Sequence, residues 1–167
     1  LVLSGASWLT AGNANAQDLA MAFIVGDAVD DRLGEGAHSL SLSDVDGDGR
    51  ADVLVGAPGS DLSAPDGGAA ALFHGGELAG TSSLSQASLL LTGTGGDGAS
   101  VGSWARPDVG SLLFIGAPGA GEGGLGWLIP AELEGAWEIA DAASHLARGE
   151  GDGASLGRQG AALASFR

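Results

Sequence analysis

Four aspartates fall within nine residues, Asp44-Val45-Asp46-Gly47-Asp48-Gly49-Arg50-Ala51-Asp52. Carboxylates at relative positions 1, 3, 5 and 9 let a looping backbone turn alternate side chains onto one point. Gly47 and Gly49 tolerate the positive φ angles that so tight a turn demands. Hard oxygen donors at this density suit Ca2+, which accepts about six to eight oxygens at ~2.3–2.6 Å in forgiving geometry, whereas Mg2+ wants a strict octahedron and retained waters. The alternative is a solvated acidic turn that binds nothing, in which the carboxylates repel at several tenths of a kcal/mol, roughly, per close pair. An EF-hand does not fit. Its twelfth position needs a bidentate Glu and here holds Val55, and the flanks Ser39–Ser43 and Asp52–Ala57 read as strands, not helices.

A repeat positions this loop. Gly96-Asp97-Gly98-Ala99-Ser100-Val101-Gly102 returns as Gly151-Asp152-Gly153-Ala154-Ser155-Leu156-Gly157, with a looser copy in Gly34-Glu35-Gly36-Ala37-His38-Ser39-Leu40. Val55-Gly56-Ala57-Pro58 returns as Ile115-Gly116-Ala117-Pro118. Ala71-Leu72-Phe73-His74-Gly75 is matched by Trp127-Leu128-Ile129-Pro130-Ala131 and by Leu1-Val2-Leu3-Ser4-Gly5, each followed by a Leu at Leu78, Leu133 or Leu9. The period is about 55–62 residues, in three copies. Short apolar runs separated by Gly, Pro, Asp and Ser read as strands joined by tight turns. The first unit predicts strands at Ala37–Ser43, Asp52–Ala57, Gly68–His74 and Ala87–Thr92. The second predicts Ser100–Ala105, Ser111–Ala117, Gly124–Ile129 and Ser144–Arg148. Four short antiparallel strands per unit describe a blade of a β-propeller, so the fold class is all-β.

Leu1–Gly5 and Met21–Gly26 match the third and fourth strands of a blade, and Ala154–Arg158 and Ala161–Phe166 the first and second. The expected organisation is one partial propeller domain over 1–167, with units at about 1–26 (half blade), 27–93, 94–149 and 150–167 (half blade), part of a six- or seven-bladed ring. The missing blades would come from the same parent chain or from another copy, two copies joined head to tail making a six-bladed ring. Pro130 to Arg148 carries Leu133, Trp137, Ala140 and Ala143 at helical spacing, and a short helix there would decorate the blade.

The run Asp44–Asp52 followed by Val53-Leu54-Val55-Gly56-Ala57-Pro58 resembles the FG-GAP repeat, the blade unit of integrin alpha-subunit β-propellers and their bacterial relatives. The resemblance implies that Asp44, Asp46 and Asp48 give side-chain oxygens to calcium, Arg50 its backbone carbonyl and Asp52 a carboxylate. It also implies a structural calcium tying the first two strands of one blade. The family's aromatic-glycine pair is not kept, since Glu35, Asp97 and Asp152 precede Gly36, Gly98 and Gly153. The second unit has Ser103-Trp104-Ala105-Arg106-Pro107-Asp108 where the acidic loop should be, and the third has Arg158-Gln159-Gly160, so those blades are expected to be metal-free.

Other chemistry is declined. Gly98-Ala99-Ser100-Val101-Gly102 and Gly153-Ala154-Ser155-Leu156-Gly157 fit a nucleophile elbow, but they recur with the repeat, lead into strands, and no His follows Ser155. The Gly93 and Gly119 G-x-G-x-x-G matches run between strands, without the helix a dinucleotide needs. His38, His74 and His145 are far apart in sequence and read as strand residues, and Trp8, Trp104, Trp127 and Trp137 as packing between blades. With 21 acidic residues against six arginines and no lysine, a net charge of −15, the surface repels phosphate backbones and anionic lipids. The longest apolar run, Leu19–Val25, is seven residues against the ~20 of a membrane span. The stretch ending Ala14-Asn15-Ala16 imitates a signal-peptidase site, which the repeat explains better. There is no cysteine, hence no disulfide or thiolate site.

These readings point to a non-enzymatic, secreted or surface-exposed bacterial module that binds one Ca2+ and serves protein interaction, adhesion or surface assembly through a protein or cell-surface ligand. The alternatives are the propeller part of a secreted hydrolase and a self-assembling structural subunit.

Overall fold

The computed structural model describes residues 2–3, 20–35, 39–94, 104–107 and 112–150, with the backbone alone for 2–3 and 104–107. In chain order the strands are β1 (Val2–Leu3), β2 (Ala20–Val25), β3 (Leu40–Ser43), β4 (Asp52–Ala57), β5 (Ala69–Phe73), β6 (Gly80–Ser83), β7 (Leu89–Thr92), β8 (Trp104–Pro107), β9 (Leu112–Ala117), β10 (Leu125–Pro130), β11 (Gly135–Glu138) and β12 (His145–Arg148). A 3-10 turn spans Leu84–Gln86, and one helical turn, α1, spans Ile139–Ala142. The sheets run β1-β2-β6, β11-β7-β5-β4-β3 and β12-β10-β9-β8. Each complete blade is thus a four-stranded antiparallel meander, β3-β4-β5-β7 and β8-β9-β10-β12, and β1-β2 pair as the outer half of another.

The two central strands of the middle blade are buried on both faces, so they read as continuous apolar runs. Every residue of β4 and β5 is buried. Side chains alternate across a strand, and the two resulting rows enter different cores. Leu54, Ala70, Leu72, Leu89 and Leu91 pack with Leu113, Ile115, Leu125, Trp127 and Ile129 of the following blade. Val53, Val55, Ala57, Ala69, Ala71, Phe73 and Leu90 pack toward Ile24 of the preceding half-blade. Trp127 is therefore inter-blade packing, as expected, whereas Trp137 stays 42% exposed.

The structure departs from the sequence reading at the connections. Two strands, β6 and β11, had no counterpart among the expected four per unit. Each follows the third strand of its own blade, crosses to the blade before, and adds to its outer edge in parallel, β6 on β2 and β11 on β7. Gly80 and Gly135 begin them with φ of 70° and 82°, a left-handed conformation that turns the chain off its own blade. The turn that follows drives one aliphatic side chain into the seam. Leu84 enters the core against the half-blade, and Ile139 enters the core between the two complete blades. Ala87 N–H closes the first turn on Leu84 O and Ala143 N–H the second on Ile139 O, so one added residue makes a 3-10 turn into an α turn. The expected helix in Pro130–Arg148 is thus a single turn, with Trp137 in strand β11 instead.

The second correction concerns the first strand of the following blade. The first strand was expected at Ser100–Ala105 and the loop position at Ser103–Asp108, two readings that overlap; β8 instead runs on through Arg106 and Pro107, paired Trp104↔Gly116 through Pro107↔Leu113. Residues 108–111 remain between β8 and β9, where 44–51 separate β3 from β4. The expected strand residues Ser100–Ser103, the loop residues 108–111, and the half-blade at Ala154–Arg158 and Ala161–Phe166 lie outside the described residues.

Candidate metal centre

The acidic run is the hairpin loop between β3 and β4, anchored at both ends. Val45 turns inward against the inter-blade core while its neighbours Asp44 and Asp46 face solvent. Asp52, the first residue of β4, is 1% exposed. Its Oδ2 accepts the Val45 N–H at 2.7 Å and its Oδ1 accepts the Gly75 N–H at 2.8 Å, which joins the start of the loop to the end of β5.

Within the loop, carboxylates and amides interlock. Asp44 Oδ1 and Oδ2 accept the N–H groups of Gly47 and Gly49, at 2.8 and 3.0 Å. Asp46 Oδ1 accepts from Asp48 N–H, and Asp48 Oδ1 from Arg50 N–H. Gly47 and Gly49 have φ of 82° and 84°, the left-handed values the sequence called for. The result is convergence: one carboxylate oxygen from each of Asp44, Asp46 and Asp48 lies within 4.8 Å of the others. Arg50 sits at the loop exit, its Nη1 donating to Gly76 O at 3.4 Å.

A second grouping shares Asp46. Ligand atoms of Asp46, Asp52 and His74 also lie within 4.8 Å of one another. His74 Nδ1 is 3.3 Å from Asp46 Oδ2 and 3.6 Å from Asp52 Oδ1, and it makes no hydrogen bond to either. Sequence reasoning placed His74 as an ordinary strand residue. It sits just after β5, beside a loop distant in sequence, and only the β4–β5 pairing brings it there. The first of these groupings fits a hard divalent cation. Its donors are carboxylate oxygens, and each oxygen that accepts one amide keeps a further lone pair. Bound there, calcium would supply two positive charges against the mutual repulsion of the aspartates.

The family model of the FG-GAP repeat matches residues 36–73, from before β3 through β5 and the acidic loop. Residues 36–73 thus match the FG-GAP repeat. Among curated proteins none matches the chain. The FG-GAP repeat is a unit of β-propellers, in agreement with the all-β blades described above, and it resembles the integrin alpha type. FG-GAP repeats are generally non-catalytic interaction modules, often bind Ca2+ and occur in extracellular proteins. Among the described residues no helix is long and apolar enough to cross a membrane.

Proposed function

We propose that this chain is a calcium-binding β-propeller module of a secreted or cell-surface protein, and that it serves interaction with another protein, adhesion or surface assembly rather than catalysis. The observation that carries this reading is the convergence of Asp44, Asp46 and Asp48 on a hairpin whose ends are pinned by Asp52. The ligand set is the side chains of Asp44, Asp46, Asp48 and Asp52 with the backbone carbonyl of Arg50. The metal is structural: it holds the β3–β4 hairpin of one blade, leaving the propeller's faces for a partner. A net charge of −15 favours a protein or cell-surface ligand over nucleic acid.

Calorimetric titration with CaCl2 is expected to find one site, of the modest affinity (on the order of 0.1–1 mM) that suits extracellular calcium. No binding, or two or more sites of comparable strength, would overturn the assignment.

A further inference from the structure

We propose that the outer edge of β12 is a docking site for a parallel, glycine-led strand of the β6 and β11 kind, supplied by a following repeat unit. This goes beyond the calcium reading and does not depend on it. Two such dockings are already built into the chain. Gly80–Ser83 lies parallel to β2 in the register Ala22↔Gly80 through Val25↔Ser83, and Gly135–Glu138 lies parallel to β7 in the register Leu89↔Gly135 through Thr92↔Glu138.

β12 occupies in its blade the place that β7 occupies in the blade before. Leu89 pairs with Leu72 and His145 with Leu128, while Thr92 pairs with Ala69 and Arg148 with Leu125. Among the described residues β12 pairs with β10 alone. The consequence shows in burial. Leu89, Leu90 and Leu91 are buried, whereas all four residues of β12 are exposed, Leu146 at 46%.

The hydrogen-bond phase of the edge follows from one backbone hydrogen bond at its end. Gly149 N–H bonds to Gly124 O, as Gly93 N–H bonds to Gly68 O in the blade before. Alternation along an antiparallel pair then directs the amides of His145 and Ala147 toward β10 and those of Leu146 and Arg148 outward. An edge left unpaired among the described residues adds a strand through its main chain. The transferred register sets the incoming Gly beside His145 and the fourth residue beside Arg148. An acidic residue there, as Glu138 is in β11, would meet a positive charge.

The test is amide hydrogen exchange on the full chain and on a variant in which residues 95–150 are duplicated in tandem. The duplicate supplies a second Gly135–Glu138 strand one unit after the first β12. Exchange at Leu146 and Arg148 of the first copy is expected to slow at least about tenfold, and the gain to vanish when Gly135→Pro is introduced in the duplicate alone. A duplicate whose β9 amides are protected, with Leu146 and Arg148 exchanging as in the parent, overturns the proposal. Should the duplicate not fold, a peptide of residues 133–143 is titrated onto the parent chain. Amide shifts at His145–Arg148 support the proposal. Shifts at Leu89–Thr92 instead, or none at millimolar peptide, overturn it.

Discussion

Asp52→Ala is expected to lower stability by about 3 kcal/mol even when calcium has been removed by a chelator. The carboxylate is buried and holds two backbone donors, Val45 N–H at 2.7 Å and Gly75 N–H at 2.8 Å. Alanine leaves both without a partner, and an unmade bond at a buried donor costs roughly 1–3 kcal/mol. Those bonds connect the loop entrance to the exit of β5, so their loss loosens β3 and β5 from β4 together. Asp52→Asn keeps one acceptor and is expected to fall between parent and alanine. Urea unfolding in chelator measures this through the midpoint at constant slope. An Asp52→Ala midpoint equal to the parent's would show that the carboxylate does not pin the hairpin.

Asp46→Ala should behave in the opposite way, costing stability in calcium and almost none in chelator. Asp46 is exposed, and its Oδ1 accepts a single local bond from Asp48 N–H. Without metal its removal deletes that bond and relieves repulsion from Asp44 and Asp48, a net change within about 0.5 kcal/mol. With metal the parent gains RT ln(1 + [L]/Kd), about 2.7 kcal/mol when calcium is a hundredfold above Kd. The variant forfeits most of this gain. Thermal melts of both proteins with and without calcium separate the cases. Equal losses in the two conditions would remove Asp46 from the ligand set and leave the loop as an acidic turn.

The contrast between these two aspartates marks the boundary between local and tertiary information. The loop was legible in the sequence because its geometry is local: alternate carboxylates and two glycines suffice to close it, and Gly47 and Gly49 adopt the left-handed backbone the spacing demanded. β4 was legible to the residue, and β5 to within one residue at each end, because strands buried on both faces must be unbroken apolar runs between turn residues. The two-core alternation of Val53, Leu54 and Val55 follows from the strand period once burial is known. β6 and β11 were not legible. Gly-Thr-Ser-Ser and Gly-Ala-Trp-Glu carry no apolar alternation, and they become strands only because the preceding blade offers an open edge in parallel register. Likewise β8 takes Arg106 and Pro107 out of the loop position because β9 supplies hydrogen-bonding partners for them. His74 joins Asp46 and Asp52 through the pairing of β5 with β4. The sequence alone thus determined the repeat, the central strands of the middle blade and the acidic loop, whose causes lie within a few residues. The tertiary structure decided which edges meet, because unpaired backbone groups are satisfied by whichever strand the packed blades bring within reach.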